Sequence, residues 1–268
     1  MKGKFSPIGV FDSGIGGVST LGQAVCMLPN EAFVYFGDSG NAPYSLKADT
    51  EIRQYCFQAC EFLIEKGVKA ILVACNTATV TAISDLREKY DLPILGMVPA
   101  VKVAIRFSLP GKIVVMGTGM TLKSKSLTSL IEEFGKGYDI VKLPCRDVIT
   151  LIEAGVIQGE EIETCIAGYF NQLDPKEISS VVFGCTHFGV LEKSVKKVIG
   201  NHIKIADGNE GTIRHLTNIL GNENLLNPGN GHTPDILFYN SGSSVSLEHS
   251  KKNFETHFKF LKSIKEKF

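Results

Sequence analysis

The strongest constraint on the fold is the regular alternation of short apolar runs with longer amphipathic segments. Short continuous apolar runs predict buried strands, and residues 50–66, with apolar side chains every three or four positions, predict a helix. Continuously apolar strands separated by helices are typical of parallel sheets that are covered on both faces. The sequence therefore predicts an α/β fold. The predicted strands are residues 8–11, 32–37, 70–75, 93–98, 112–117, 138–143, 180–185 and 203–208.

Clusters of glycine and small polar residues follow most of these strands directly. In open α/β sheets, ligands bind outside the carboxyl ends of the strands, so these clusters are the candidate site segments. Two of them have a counterpart in the other half of the chain, which predicts two similar α/β domains with one strand-end cysteine in each. The segments are FDSGIGG (11–17), GDSGNAPYS (37–45), ACNTAT (74–79), GTGMT (117–121), GCTHF (184–188) and ADG (206–208).

Cys75 and Cys185 are the candidate reactive groups. Inverting a carbon centre requires one group to remove a proton and a second group to return one on the opposite face. Thiols suit both roles, because their reference pKa of about 8.5 is lowered by charged neighbours or a helix N-terminus. Asp12 can assist Cys75 if their strands are adjacent, and His187 shares a face with Cys185 if that strand continues. The pattern predicts a cofactor-independent racemase.

Other interpretations of the same residues stay open. A cysteine in an apolar strand is ordinarily a core residue. A hydrolase or lyase would use Cys185 as nucleophile and His187 as base, and a binding protein would keep the site without chemistry. A single Cys-x-His pair is too little for a metal site. Residues 12–14 resemble the aspartic protease signature, but those proteases are all-β. The cysteines assigned to the core are Cys26, Cys56, Cys60 and Cys165.

Composition excludes several classes of partner. The 28 basic and 28 acidic residues balance, and no long basic run predicts nucleic-acid binding. No stretch approaches the roughly 18 apolar residues of a membrane span, and the N-terminus lacks a signal-peptide pattern. Seven cysteines without disulfide spacing predict a reducing, cytoplasmic location.

In these motifs the chain resembles the glutamate racemases of the aspartate/glutamate racemase superfamily. The same motifs, with LIEAG (151–155) and an extended GTGMTLKS (117–124), follow the family order across almost the whole chain. The resemblance implies cofactor-free interconversion of L- and D-glutamate, which supplies peptidoglycan synthesis and so the cell wall and cell shape. It also implies a homodimer whose two α/β domains, residues 1–98 with 208–268 and residues 99–207, enclose the active site in a cleft.

The resemblance also assigns the site residues. Cys75 and Cys185 are the acid/base pair, Asp12 and His187 assist proton transfer, and Glu153 supports His187. No metal or cofactor is implied. The substrate-binding residues are Ser13, Pro43, Tyr44, Ser45, Asn76, Thr77, Thr118, Thr121 and Thr186.

Some assignments have plainer alternatives. Glu153 is otherwise a surface helix residue, Asn41 a turn residue, and Thr118 and Thr121 are helix caps. The chain also departs from the family at two positions. Ser45 stands where the family usually has Gly, so a positive φ there would strain the loop. Leu127 stands near a usual Tyr, and an acidic amino acid such as aspartate stays a rival substrate.

Overall fold

The computed structural model describes residues 3–229 and 235–265. The chain forms two compact units, one comprising Met1–Met97 and Asn209–Phe268, the other Val98–Gly208. Each unit contains one parallel sheet flanked by helices, which confirms the predicted α/β fold. Among the described helices, none has the length and apolarity that crossing a membrane requires.

Eight of the strands match predicted ones, with ends that differ by at most two residues. The ninth, β9, was not predicted, because its five residues are only partly buried and form a sheet edge. The strands are β1 (Ile8–Asp12), β2 (Phe33–Gly37), β3 (Ala70–Val73), β4 (Ile94–Gly96), β5 (Lys112–Gly117), β6 (Ile140–Pro144), β7 (Ile178–Gly184), β8 (Lys204–Ala206) and β9 (Ile236–Asn240).

The helices lie between the strands, as the amphipathic segments predict. The α-helices are α1 (Val18–Met27), α2 (Asp49–Glu65), α3 (Asn76–Lys89), α4 (Val101–Arg106), α5 (Gly119–Lys123), α6 (Lys125–Phe134), α7 (Arg146–Glu153), α8 (Glu160–Phe170), α9 (Glu192–Ile199), α10 (Asn209–Asn222) and α11 (Ser244–Lys265). Short 3₁₀ helices occur at Tyr44–Leu46, Pro175–Glu177 and Thr186–Leu191.

The first unit has strand order β4-β3-β1-β2-β9 and is covered on both faces of its central strand. Ile8 and Val10 of β1 are fully buried in a core that includes residues of α1, α10 and α11. On the other face, a Cβ built on Gly9 would lie 3.1 Å from Leu63 of α2. Because both faces are covered, every residue of β1 is buried, and its end is fixed in position.

The second unit has strand order β6-β5-β7-β8. Its core contains Ile113 and Val115 of β5 and Val182 of β7, packed against α4 and α6. Leu127 of α6 is fully buried in this core, so the departure from the usual Tyr lies in a packing position.

A buried ion pair joins distant segments of the first unit. The Lys69 ammonium donates to Glu31 Oε2 at 2.5 Å and to the carbonyls of Lys4 and Leu225 at 2.6 and 2.8 Å. Glu31 Oε1 accepts the N–H of Asn227 at 2.9 Å. Both charged side chains are almost fully buried, so neither can turn to solvent if its partner is removed.

We therefore expect Lys69→Met to lower the free energy of unfolding by about 3–5 kcal/mol, because Glu31 would stay buried without its cation. The matched control is Lys89→Met, which removes an exposed pair with Glu61 and should change stability little. The measurement is the urea midpoint of each variant. Equal midpoints for the two variants would show that the buried pair does not hold these segments together.

Candidate active site

Asp12 and Cys75 lie at neighbouring strand ends in the first unit. β1 and β3 pair in parallel, with Phe11 opposite Val73, and the Ala74 N–H donates to the Phe11 carbonyl at 2.8 Å. The adjacency that an Asp12 role requires is therefore present. Asp12 is fully buried and its Oδ1 accepts the Gly14 N–H at 3.0 Å, which holds the turn after β1.

The Cys75 sulfur is surrounded by hydrogen-bond donors. Cys75 is the N-cap of α3, and its Sγ accepts from the Ser13 hydroxyl at 3.1 Å and the Ala78 N–H at 3.4 Å. Only 4% of Cys75 is exposed. The helix N-terminus adds partial positive charge, so this position favours negative charge on sulfur. Ser13, predicted as a substrate ligand, contacts the thiol itself.

Asn76 and Thr77, which follow Cys75, are both buried at the start of α3. The Asn76 Nδ2 donates to the Met97 carbonyl at 3.3 Å. Its Oδ1 is buried and has no hydrogen-bond partner among the described residues. An unsatisfied buried carbonyl oxygen is rare in native proteins, and it is suited to accept a hydrogen bond from a bound ammonium group.

The loop after β2 carries Pro43, Tyr44 and Ser45. Tyr44 is almost fully buried and its hydroxyl donates to Asp38 Oδ2 at 2.6 Å. Burial, together with the charge of Asp38 and the hydrogen bond to it, raises the pKa of the Tyr44 phenol. Ser45 lies in the 3₁₀ helix, and in the described residues only Ser108 and Asn224 combine a side chain with positive φ. The strain considered for Ser45 is therefore absent.

Asp38 was not among the predicted site residues, although it lies within the segment GDSGNAPYS (37–45). Asp12 is the last residue of β1, and it pairs with Gly37, the last residue of β2. Asp38 directly follows Gly37, so the two aspartates lie at adjacent strand ends. The Asp38 N–H also donates to the Asp12 carbonyl at 2.9 Å. The available signal was the shared position of the two aspartates at adjacent strand ends.

In the second unit, the strand that precedes Cys185 ends earlier than predicted. β7 ends at Gly184, and Thr186–Leu191 form a 3₁₀ helix. The premise that a continuing strand places Cys185 and His187 on one face is therefore wrong. The tight turn, closed by the Phe188 N–H on the Cys185 carbonyl at 3.2 Å, brings the two side chains together instead. His187 Nδ1 lies 3.6 Å from Cys185 Sγ.

Glu153 completes a line of three polar side chains. It is the last residue of α7, and its Oε1 lies 2.5 Å from His187 Nε2. Burial lowers the pKa of His187, but the charge of Cys185 and hydrogen bonds to Cys185 and Glu153 raise it more. The net result is a His187 pKa well above its usual value. A cationic imidazole beside a thiol favours the thiolate.

No group of three or more His, Cys, Asp or Glu side chains in the part of the chain that the structure describes is placed to hold a metal ion. The Cys185–His187–Glu153 line is extended, with His187 in the middle. The arrangement is suited to proton transfer rather than to chelation.

Two of the predicted threonines, Thr118 and Thr186, lie just after strands of the second unit, and Thr121 lies within α5. Gly117 pairs with Gly184, so Thr118 and Cys185 follow neighbouring strands. Thr118 caps α5 by accepting the Thr121 N–H at 3.2 Å, and its hydroxyl donates to Thr121 Oγ1 at 3.0 Å. The capping role considered for Thr118 is present, whereas the one considered for Thr121 is wrong, because Thr121 lies within α5 and Ser124 caps α6. Thr186 is buried in the turn after Cys185.

Comparison with known proteins gives a consistent family. The family described as Asp/Glu/Hydantoin racemase matches residues 22–216. A glutamate racemase of Clostridium botulinum is 44% identical over 257 residues, which cover 96% of this chain and 100% of that protein.

Solved structures show the same fold. A glutamate racemase of Bacillus anthracis has a TM-score of 0.83 at 30% identity, covering 94% of this chain and 95% of that one. A glutamate racemase of Francisella tularensis, crystallised with D-glutamate, has a TM-score of 0.79 at 27% identity, covering 94% of each chain.

We expect Glu153→Gln to lower the pKa of His187, because the amide keeps the shape of the side chain and removes its negative charge. A raised folded-state pKa stabilises the fold at pH below 6.5, and this stabilisation is lost as pH rises through the raised value. The variant should therefore also show a smaller stability gain at acid pH.

The measurement is an NMR titration of the His187 imidazole. Glu163→Gln is the matched control, since Glu163 pairs with Lys197, and the described partners of His187 are Cys185 and Glu153. If His187 titrates at the same pH in Glu153→Gln and in the control, Glu153 does not set its charge.

Proposed function

The chain belongs to the Asp/Glu/Hydantoin racemase family and to the glutamate racemases within it, so it is an isomerase, and we propose that it interconverts L- and D-glutamate by a cofactor-free, two-thiol proton transfer. The observation that carries the proposal is the placement of one nearly buried cysteine at a strand end in each unit. Each cysteine has its own set of polar neighbours, as two acid/base groups require.

The proposed reaction moves one proton at each face of the α-carbon. One cysteine thiolate removes the α-proton, so the C–H bond breaks, an S–H bond forms, and the electron pair delocalises into the α-carboxylate. The other cysteine then donates its S–H proton to the opposite face of the carbon. The two thiols exchange protonation states in each turnover, and no oxidant or external acid is consumed.

The polar neighbours of each cysteine are proposed to stabilise its negative charge or to supply its proton. Ser13 and the Ala78 N–H stabilise negative charge on Cys75, and Asp12 lies at the adjacent strand end. His187, held by Glu153, stabilises negative charge on Cys185 and can return a proton to it. Negative charge on Cys75 is thus stabilised by neutral donors and a helix N-terminus, whereas negative charge on Cys185 is stabilised by a charged imidazole.

The remaining predicted residues are proposed to hold the substrate. The unpartnered Asn76 Oδ1 is the natural acceptor for the ammonium group. Hydroxyls and backbone N–H groups would bind the carboxylates, and preorganised neutral donors suffice for this. D-Glutamate in the Francisella racemase supports the substrate class. The assigned residues are Ser13, Pro43, Tyr44, Ser45, Asn76, Thr77, Thr118, Thr121 and Thr186.

The proposal extends to the cellular role. The relatives are bacterial enzymes, and D-glutamate would supply peptidoglycan synthesis, cell-wall biogenesis and the maintenance of cell shape. Two reduced thiols are needed for the reaction, so the proposal includes a reducing cytoplasm. The homodimer stays a prediction.

One observation favours a second candidate function. The order Cys185, His187, Glu153 is that of a nucleophile, a base and an orienting acid, as in cysteine hydrolases. A hydrolase of this kind would need Cys185 and would not need Cys75. The two functions are therefore separated by the response to loss of Cys75.

We expect Cys75→Ala and Cys185→Ala each to abolish racemisation of L- and of D-glutamate, measured by polarimetry. The matched control is Cys60→Ala, which removes a fully buried thiol within α2 and should keep most activity. The same assay with aspartate tests the rival substrate. Full activity of folded Cys75→Ala would exclude the two-thiol mechanism, and faster turnover of aspartate than of glutamate would exclude the proposed substrate.

A further inference from the structure

The segment that follows β9 is bonded to the loop that follows β2. The Ser241 N–H donates to the Gly37 carbonyl at 3.0 Å, and the Gly40 N–H donates to Ser241 Oγ at 3.0 Å. The Ser241 hydroxyl in turn donates to Asp38 Oδ1 at 2.5 Å. Three hydrogen bonds thus join residues about 200 positions apart in the chain.

Asp38 is a buried carboxylate that depends on neutral donors. Only 3% of the residue is exposed, and it takes part in none of the ion pairs among the described residues. Its oxygens accept from the Tyr44 hydroxyl at 2.6 Å, the Asn41 amide at 3.0 and 3.1 Å, and Ser241. A buried carboxylate that loses one hydrogen-bond donor is destabilised, because the lost bond is not replaced by water. The hydrogen bonds from Tyr44 and Asn41 to Asp38 would therefore rearrange.

The close fit of the two segments limits which side chains can serve here. A Cβ built on Gly40 would lie 2.9 Å from the Ser241 carbonyl oxygen and 3.0 Å from its Oγ. The approach therefore needs glycine at position 40. A hydroxyl at position 241 both accepts from Gly40 and donates to Asp38, which an alanine cannot do.

We propose that Ser241 is a positioning residue for substrate binding: through Asp38 and Tyr44, its hydroxyl sets the conformation of residues 43–45. Asp38 links the two, since it accepts from both hydroxyls. This inference rests on the proposed function, in which Pro43, Tyr44 and Ser45 contact glutamate. Ser241 itself touches no reacting atom, so its loss should weaken binding and leave the proton transfer at the thiols largely intact.

The test compares three variants by steady-state kinetics with L-glutamate. Ser241→Ala removes the hydrogen bonds to Gly40 and to Asp38, and of these only the bond to Asp38 leads to Tyr44. The variant should raise KM about fivefold, the effect expected from losing that one bond, and change kcat less than about twofold. Ser241→Thr keeps the hydroxyl and should restore the wild-type KM. Ser243→Ala is the matched control, because among the described residues the Ser243 hydroxyl bonds only to Ser246 at the start of α11.

A purely structural role for Ser241 predicts a different result. It would lower the thermal midpoint of Ser241→Ala without a selective rise in KM, or it would raise KM equally in Ser243→Ala. Either of these outcomes overturns the inference. So does an unchanged KM in an active Ser241→Ala variant, and so does a loss of activity that is confined to kcat.

A second measurement needs no turnover and separates this inference from the proposed function. Amide hydrogen exchange of residues 38–46 should be faster in Ser241→Ala than in wild type or Ser243→Ala, because the loop loses the two hydrogen bonds that the Ser241 hydroxyl makes to Gly40 and Asp38. Equal exchange in all three proteins overturns the inference even if the wild type does not racemise glutamate. Failure of the wild type to racemise glutamate, in contrast, overturns the proposed function.

Discussion

Parallel pairing of buried strands places the candidate site residues of each unit next to one another. β1 pairs with β3 and β5 pairs with β7, so the residues that follow each pair emerge side by side at one sheet edge. Helices cover both faces of these sheets, and the strand ends are fixed by packing rather than by the loops. A reactive thiol at such an end can be surrounded by donors from the neighbouring strand end without strain in its own segment.

The two thiols are supported in different ways. Cys75 receives a hydroxyl, a backbone N–H and the N-terminus of α3. Cys185 instead faces His187, whose pKa is raised by Cys185 and Glu153 although burial opposes the charge. Neutral donors stabilise a thiolate at any pH, whereas an imidazole does so only while protonated. The support that His187 gives to Cys185 therefore weakens as the pH rises through the raised pKa of His187, whereas the support of Cys75 does not depend on an imidazole.

Much of the fold could be predicted because buried parallel strands are continuously apolar. β9 was not predicted, because an edge strand with an exposed Leu237 does not show a continuously buried apolar run. The nearness of Cys185 and His187 was expected for a wrong reason, because a 3₁₀ turn rather than a strand brings them together. Contacts between distant segments left no local signal, and the bond from Ser241 to Asp38 spans 203 positions.

The most direct test of the central claim is the fate of the α-hydrogen during a single turnover in heavy water. Two thiols that exchange protons with solvent predict that D-glutamate formed from L-glutamate carries deuterium from its first turnover, while the recovered L-glutamate keeps its protium. The reverse reaction should show the mirror pattern. Product that retains the original protium, or equal deuteration of substrate and product from the start, would require a single base and would contradict the two-thiol mechanism.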